Sequence, residues 1–299
     1  MRIVVSGSSG LVGSALLPAL RAAGHQASRL VRPGASPAPG DVAWDPSADT
    51  IDAAGLEGTD AVVHLAGAGI AAGRWTTARK VEIRRSRVNG TQLVSETLTK
   101  LQRPPRVLIS ASAIGYYGDR GDEVLRESSE RGHGFLPAVC VAWESATERA
   151  EKRGLRVVHL RFGVILSPRG GALRKMLLPF RLGLGGRVGS GRQYMSWVAL
   201  DDAVGAIAHV LAIPALRGPV NVVAPRPVTN LEFTKALGRV LGRPTVAPLP
   251  AFAARLVFGE MADALLLSSV RVVPGALEGS GYRFRYPDLE PALRHLLGR

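Results

Sequence analysis

The chain alternates short apolar runs of strand length with longer segments in which apolar residues recur at helical spacing. The predicted strands are the runs 2–7, 26–32, 61–67, 106–112, 156–163 and 218–224. The predicted helices are the segments 11–23, 75–100, 135–153, 170–182, 201–213, 230–241 and 250–268. This alternation is typical of βαβ units, and the near-continuous Val, Ile and Leu of most strands indicate a sheet covered on both faces. We therefore predict an α/β fold built on a doubly wound parallel sheet.

Two polar, glycine-rich stretches interrupt this alternation. Residues 114–134 come directly after a predicted strand, and residues 183–197 form a second loop that contains five of the chain's glycines. In open parallel sheets, ligands bind at loops that follow the carboxyl ends of strands. We expect both loops to border a binding cleft, the second as a lid or substrate wall.

Three glycines follow the first predicted strand directly. Gly7, Gly10 and Gly13 have the spacing GxxGxxG, at the entry to a predicted helix. Such glycines allow a tight turn, close approach of the backbone to a pyrophosphate, and close packing of helix on strand. The helix N-terminus adds free amide donors and a positive dipole end. A plain strand-to-helix turn is the alternative, but the position at the first βα junction favours a dinucleotide site. The expected contacts are Gly7, Ser9, Gly10, Leu11, Val12 and Gly13.

The end of the second predicted strand indicates which dinucleotide binds. NAD sites usually carry an acid about 20 residues past the glycine loop, whereas a basic residue there accommodates the 2′-phosphate of NADP. Here the strand ends in `SRLVRPG`, with no acid before Asp41 and with Arg32 at its tip. A solvated arginine at a strand end is the alternative interpretation. We predict NADP(H) as the cofactor, with Arg32 on the 2′-phosphate.

Charge and cysteine content narrow the other possibilities. The formal charge of +14 suggests an anionic ligand, but the basic residues are mixed with apolar helical positions rather than clustered in a tail, so we expect no nucleic-acid partner. No uncharged apolar stretch of about 18 residues is present, so we expect no membrane span and a cytoplasmic location. Cys140 is the only cysteine, which fits a reducing compartment and gives no cysteine cluster for zinc, so no metal site is predicted.

Four segments resemble the short-chain dehydrogenase/reductase superfamily in its extended or atypical branch, which includes sugar-nucleotide epimerases and dehydratases. They are `GSSGLVG` (7–13), `HLAG` (64–67), `SRVNGT` (86–91) and `WVALDDAVGAI` (197–207). Residues 178–202 and 249–289 are similar to a subgroup labelled "epimerase family protein", whose members carry an additional conserved C-terminal segment of unknown role. The resemblance spans nearly the whole chain. It implies a Rossmann fold with a smaller C-terminal, substrate-side lobe.

On this basis we divide the chain into a cofactor domain and a lobe. We expect residues 1–168 to form an NADP-binding Rossmann domain that is completed by about 198–228. Residues 169–197 and 229–299 are expected to form the substrate-side lobe, and the tail could help a homodimer form.

The resemblance also implies cofactor contacts outside the glycine loop. Leu65, Ala66 and Gly67 would contact the dinucleotide mainly through their backbone, with plain strand core as the alternative. Arg87 occupies a position where the superfamily often has Asn, and it could reach phosphate or ribose with Glu82 as its ion-pair partner; two unpartnered surface charges are the alternative. Ile165 is expected to wall the nicotinamide end.

The Tyr and Lys that superfamily enzymes carry one helical turn apart are missing. Their positions fall on Leu136 and Cys140. In the resembling enzymes the lysine lowers the pKa of the tyrosine, which exchanges the proton that accompanies hydride transfer. Neither leucine nor a neutral thiol can do this. The candidates for proton transfer are Ser112, Tyr116 and Tyr117, although packing of the two rings beneath the loop is an equally open interpretation for them.

The substrate is expected to be a small polar or anionic compound. The loop 183–197 offers it Arg187, Arg192, Gln193 and Tyr194, unless this loop is a structural turn. The sequence thus predicts an NADP(H)-binding oxidoreductase or nucleotide-sugar epimerase-like enzyme. The alternative is a non-catalytic NADPH-binding sensor or scaffold, which the loss of the Tyr and Lys favours.

Overall fold

A computed structural model describes all 299 residues of the chain. The strands are β1 (Arg2–Ser6), β2 (Gln26–Val31), β3 (Val42–Asp45), β4 (Thr50–Ile51), β5 (Ala61–His64), β6 (Val107–Ala113), β7 (Val124–Leu125), β8 (Arg156–Phe162), β9 (Val164–Leu166), β10 (Tyr194–Met195), β11 (Trp197–Ala199), β12 (Gly218–Val222), β13 (Val228–Thr229) and β14 (Arg271–Val272). The helices are α1 (Gly13–Ala22), α2 (Ala53–Leu56), α3 (Thr77–Leu98), α4 (Phe135–Ser145), α5 (Glu148–Lys152), α6 (Gly171–Arg181), α7 (Leu200–Ala212), α8 (Asn230–Leu241), α9 (Ala251–Phe258), α10 (Glu260–Ala262), α11 (Gly275–Gly279) and α12 (Leu289–Leu297).

Eight strands form the central sheet in the order β12-β8-β6-β5-β1-β2-β3-β4. Every neighbouring pair is parallel except β3 and β4. From β1 the chain proceeds outward to β2 and β3, then returns to β5 on the other side of β1. The strand order therefore reverses between β1 and β5, and such a switch point opens a ligand cleft at the carboxyl ends of the strands. The predicted doubly wound α/β sheet is confirmed.

Helices cover both faces of this sheet because each face is apolar. On one face, Leu16 of α1 and Ile207 of α7 are fully buried against Val5 of β1. On the other face, Val94 of α3 packs in a cluster that includes Val4. Residues 4 and 5 thus point to opposite faces of β1, as the two-residue period of a strand requires.

A smaller cluster forms a lobe beside the sheet. Phe180 of α6, Phe233 of α8 and Leu293 of α12 are buried there together with Trp197. The predicted helices 135–153 and 250–268 are each interrupted in the structure. The first break falls at residues 146–147, where the Thr147 hydroxyl donates to the Glu144 carbonyl oxygen and lies 2.8 Å from Nε2 of His159. Such local side-chain bonds compete with helix continuation.

The C-terminal segment (residues 249–299) is attached to the sheet at several points. Asp202 of α7 is fully buried, and its carboxylate accepts hydrogen bonds from the amides of Arg285 (2.8 Å) and Tyr286 (3.0 Å). Ser269 bridges two loops, since its hydroxyl accepts from the Tyr194 amide at 3.0 Å and donates to the Gly121 carbonyl oxygen at 2.6 Å. This segment therefore ties the loop after β6 to the loop before β11. No helix of the chain is long and apolar enough to cross a bilayer.

Candidate cofactor and active site

The glycine loop (residues 7–13) joins β1 to α1, and its shape requires glycine at two positions. Gly7 has a φ of +67°, and a Cβ there would lie 2.8 Å from the carbonyl carbon of Leu65. At Gly13 a Cβ would lie 2.3 Å from the carbonyl oxygen of Gly7, which lets α1 begin directly against the strand. Gly10 is exposed, and a Cβ there would meet only the Gly7 oxygen at 3.1 Å. Its bare backbone therefore faces the open cleft.

The same loop presents unused hydrogen-bond donors. The backbone amides of Ser9, Leu11, Val12 and Gly13 donate no hydrogen bond within the chain. No side chain caps the N-terminus of α1, and its first turn carries no acidic residue. Free amides at a helix N-terminus bind anions because they combine donors with the positive end of the dipole. The loop thus fits a pyrophosphate.

A buried pair of side chains supports the neighbouring end of β5. The Ser6 hydroxyl accepts from the amides of Leu65 (3.1 Å) and Ala66 (3.3 Å) and lies 2.7 Å from Nδ1 of His64. Ser6 and His64 are both fully buried, and burial lowers the pKa of His64 to about 4. The Ser6 hydroxyl therefore fixes the backbone just after β5 beside the glycine loop. This segment contains the predicted contacts Leu65, Ala66 and Gly67.

On the other side of β1, the tip of β2 borders a shallow cleft of about 480 Å³. Arg32 lines this cleft with its exposed side chain, together with Trp44 and Asp45. Asp41 is not free for a ribose because Nε of Arg29 donates to it at 2.9 Å and its carboxylate is buried. Burial acts to raise the pKa of Asp41, but the hydrogen bond from Arg29 lowers it below its ordinary value. Arg32 is thus the exposed cation of this cleft.

The expected pairing of Glu82 with Arg87 is wrong. Glu82 is exposed and pairs at 2.6 Å with Nη1 of Arg79, three residues earlier on the same helix. Five residues along a helix place Glu82 and Arg87 on different faces. Arg87 instead lies half-buried over the Trp143 ring, with Cζ 5.0 Å from the ring centroid, and beside Gly67. Glu82 thus points away from the cleft, whereas Arg87 borders it.

The helix that should carry the missing Tyr and Lys is apolar at those positions. Leu136 and Cys140 are buried in α4, and a Cβ at Gly115 would lie 3.5 Å from Leu136 and 3.8 Å from the Cys140 sulfur. Burial raises the pKa of the Cys140 thiol to about 12. The thiol is therefore neutral and replaces neither the tyrosine nor the lysine.

Ser112, one of the three candidates for proton transfer, belongs to a buried polar network. It is 3 % exposed, and its hydroxyl donates to Oε1 of Glu144 at 2.6 Å. The Glu144 carboxylate also accepts two hydrogen bonds from Arg161, both at 2.8 Å. Burial acts to lower the pKa of Arg161, but hydrogen bonding and charge pairing with Glu144 raise it above its ordinary value. The hydroxyl proton of Ser112 is thus committed to the network.

Tyr117 belongs to the same network, in agreement with the packing alternative for this ring. It is fully buried, its hydroxyl donates to Oδ1 of Asn221 at 2.7 Å, and it accepts from Nη1 of Arg161 at 3.0 Å. Burial raises the pKa of the Tyr117 hydroxyl. Tyr116 differs, because it is only half-buried and its hydroxyl makes no hydrogen bond to the chain. The Arg161 guanidinium lies over the Tyr116 ring, with Cζ 3.5 Å from the centroid. Tyr116 is the one candidate with a free hydroxyl.

The four residues expected to meet the substrate differ in exposure. Gln193 is 8 % exposed, and its amide donates to the carbonyl oxygens of Val188 and Leu266, both at 2.9 Å, so these two bonds hold the loop and its ligand contact stays a prediction. Arg187 is exposed but bonded to the Ser190 carbonyl oxygen at 2.8 Å. Arg192 is exposed. The Tyr194 ring lies under the Arg271 guanidinium, at 4.6 Å.

Ile165 lies half-buried in β9, near the glycine loop. The carbonyl oxygen of Ile165 is 3.4 Å from a Cβ at Gly171, and the same Cβ would meet the side chain of Leu11 at 3.4 Å. The start of α6 therefore packs against Leu11 of the glycine loop. Ile165 lies on the side of the cleft formed by β5 and β6, and Arg32 lies on the other side.

Sequence reasoning missed Arg161 and Glu144 as a pair. Arg161 interrupts the apolar run of β8, and an internal charge in a buried strand signals an obligatory partner. That signal does not identify the partner, because Glu144 lies 17 residues earlier in the chain, in α4, and tertiary packing brings it to Arg161.

This chain is similar to known proteins over nearly its whole length. Residues 3–223 match the family described as "NAD dependent epimerase/dehydratase family", and residues 249–296 match "Domain of unknown function (DUF1731)". Epimerase family protein Mb2239 of Mycobacterium bovis is 47 % identical over 99 % of this chain and 98 % of its own length. The crystal structure of human epimerase family protein SDR39U1 with NADPH superposes with a TM-score of 0.92 at 35 % identity, covering 100 % of both chains. A nucleoside-diphosphate sugar epimerase from Corynebacterium glutamicum has a TM-score of 0.82 at 38 % identity, and the match covers 100 % of this chain but 58 % of that longer one.

Proposed function

Because this chain belongs to the NAD dependent epimerase/dehydratase family, we propose that it binds NADP(H) and acts as an oxidoreductase or epimerase-like enzyme. The proposed substrate is a small polar or anionic carbonyl or hydroxyl compound. One observation carries the proposal: the glycine loop, with unused backbone amides that include those of Ser9, Leu11, Val12 and Gly13, lies beside a strand tip whose exposed charge is Arg32. Such an arrangement favours a dinucleotide with an extra phosphate.

The two ends of the cofactor would be held differently. The glycine loop would bind the pyrophosphate through the amides of Ser9, Leu11, Val12 and Gly13. Arg32 would bind the 2′-phosphate on the β2 side, where Arg29 already neutralises Asp41. NADPH in the related human structure supports this choice, whereas the family name refers to NAD.

Tyr116 is the proposed proton donor and acceptor. A bound NADP(H) would supply or accept the hydride, and the substrate oxygen would then need a proton partner. The Tyr116 hydroxyl is free of protein hydrogen bonds, and its ring is fixed by the Arg161 guanidinium, which Glu144 holds in place. Tyr116 follows β6 at the carboxyl edge of the sheet, where substrates bind in this class of fold.

A second function, NADPH sensing without catalysis, has its own support. Leu136 and Cys140 stand where a Tyr and a Lys are usual, and the hydroxyls of Ser112 and Tyr117 are committed to a buried network. Cofactor binding needs none of these groups. The absence of the Tyr and Lys therefore fits a protein that binds NADPH without catalysis and whose partner recognises the NADPH-bound form.

Turnover across a substrate panel separates the two functions. NADPH oxidation would be followed with carbonyl compounds, and conversion to the epimer with sugar nucleotides, because an epimerase regenerates its cofactor in each turnover. Both assays would be run for the wild type, for Tyr116→Phe and for the control Tyr286→Phe. Tyr286 also has a hydroxyl without a protein hydrogen bond, but its ring stacks on His295, away from the glycine loop. An enzyme should lose about 100-fold or more in kcat in Tyr116→Phe and little in the control. Tight NADPH binding without turnover on any compound would instead support the sensor.

A further inference from the structure

Arg87 is a half-buried cation without an acidic partner. Its Nη1 donates to the Ile83 carbonyl oxygen at 3.0 Å, and the guanidinium makes no other hydrogen bond to the chain. One face of it is covered by the Trp143 ring. Burial lowers the pKa of Arg87, which remains charged at neutral pH because arginine ionises so far above it.

The groups around Arg87 do not cancel its charge. Glu82 is paired with Arg79, and Glu144 is held by two hydrogen bonds from Arg161. Cys140 is a neutral thiol, and the charge of Arg79 is balanced by its ion pair with Glu82, so the charge of Arg87 itself is left without a counterion. The field at this point of the cleft is therefore positive.

The strand order places Arg87 at the nicotinamide end of the proposed cofactor. β1 carries the pyrophosphate loop, and β2 with Arg32 lies on one side of it, so the adenosine phosphate extends that way. The other half of the dinucleotide must then cross β5 and β6. Gly67 follows β5, and a Cβ there would lie 3.5 Å from Cγ and 3.6 Å from Cζ of Arg87.

The two redox forms of the cofactor differ in charge at this end only. The nicotinamide ring is neutral in NADPH and carries one positive charge in NADP⁺. A fixed cation in a partly desolvated site repels the oxidised ring more strongly than it would in water. We propose that Arg87 makes this site selective for the reduced cofactor, so that NADPH binds about tenfold or more tightly than NADP⁺. This inference rests on the proposed function, since it requires the site to bind NADP(H).

The test compares dissociation constants rather than activity. Binding of NADPH and of NADP⁺ would each be measured by calorimetry for the wild type, Arg87→Met, Arg87→Lys and Arg32→Ala. Met retains packing on Trp143 but removes the charge, and Lys restores the charge. The ratio of the NADP⁺ to the NADPH dissociation constant should be about ten or more in the wild type and in Arg87→Lys, and fall toward one in Arg87→Met, a change of about 1.4 kcal/mol. Arg32→Ala should weaken both forms and leave the ratio unchanged.

Two results would overturn the inference while the proposed function stands. The first is a wild-type ratio near one. The second is a parallel loss of affinity for both forms in Arg87→Met, which would make Arg87 a phosphate contact alone. Absence of binding for both NADPH and NADP⁺ would instead refute the proposed function, and the inference with it.

Discussion

The Ser6 hydroxyl lies 2.7 Å from Nδ1 of His64, where β1 and β5 end side by side beneath the glycine loop. Since the Ser6 oxygen already accepts from the amides of Leu65 and Ala66, its proton is directed at Nδ1. The proton of the imidazole is then on Nε2, which is buried without a hydrogen-bond partner. The Ser6–His64 hydrogen bond holds the backbone at the edge of the proposed cofactor site. This bond requires His64 to be neutral, because Nδ1 acts as the acceptor.

The free energy of unfolding should therefore decrease in acid, because the folded protein resists protonation of His64. Burial lowers the pKa of His64 from 6.5 to about 4, so the unfolded chain takes up this proton first as the pH falls. Above pH 6.5 His64 is neutral in both the folded and the unfolded chain, so stability does not depend on its protonation there. Between pH 6.5 and about 4 stability is lost, by about 3 kcal/mol in total. Urea unfolding across this range should show that loss in the wild type and a shallower slope in His64→Asn. Equal slopes in the two proteins would contradict the assignment.

Two glycines of the same loop should respond differently to alanine. A Cβ at Gly13 would clash with the Gly7 oxygen, so Gly13→Ala should destabilise the fold by roughly 1–3 kcal/mol. At Gly10 a Cβ would lie 3.1 Å from the same oxygen, a milder contact, so Gly10→Ala should lower the melting temperature less than Gly13→Ala. It should nevertheless weaken NADPH binding, because the methyl group blocks the approach of the phosphates to the backbone. Calorimetry and thermal melts on both variants check this. Full NADPH affinity in Gly10→Ala would show that the phosphates lie elsewhere.

The Glu144 and Arg161 pair should be strongly coupled in stability. Glu144→Gln leaves the Arg161 charge buried and uncompensated, at a cost of about 3–5 kcal/mol. The double variant Glu144→Gln, Arg161→Met removes that charge and should lose less than the sum of the two single variants. Urea denaturation of all four proteins gives the coupling energy. Strict additivity would mean that the pair does not act as a unit.

Ser269 should control the mobility of two loops on the substrate side. Ser269→Ala removes the acceptor of the Tyr194 amide and the donor to the Gly121 oxygen. Hydrogen exchange should then accelerate in residues 119–125 and 192–196, with little change at the glycine loop. Ser268→Ala is the matched control, since its hydroxyl bonds only to Ala264 within the tail. Unchanged exchange in Ser269→Ala would remove this role from the C-terminal segment.

The sequence predicts the central sheet well because its strands are buried on both faces. Each of the six predicted strands overlaps one of the structure, such as β6 over Val107–Ala113. The strand β3 was missed because four residues, Val42–Asp45, give little alternation between two loops. The helix α12 was also missed, since the tail was interpreted as one lobe without its elements being assigned.

The sequence predicted those parts of the candidate site whose residues have a characteristic spacing along the chain. The glycine loop has such a spacing, and so does the helix that lacks the Tyr and Lys. The choice between Tyr116 and Tyr117 had no such signal, because a single turn of 3₁₀ helix at residues 114–116 decides which ring faces inward. The contact between Arg87 and the Trp143 ring could not be predicted either, because tertiary packing alone brings α4 against Arg87.

Cofactor choice at Arg32 tests the account most directly. Dissociation constants for NADPH and NADH would be measured for the wild type, for Arg32→Ala and for the control Arg153→Ala. Arg153 is an exposed arginine shortly before β8, which lies in the half of the sheet opposite to β2. The wild type and the control should bind NADPH about tenfold or more tightly than NADH. Arg32→Ala should lose that preference because its affinity for NADPH falls while its affinity for NADH is unchanged. Equal affinity of the wild type for both dinucleotides, unchanged in Arg32→Ala, would contradict the account.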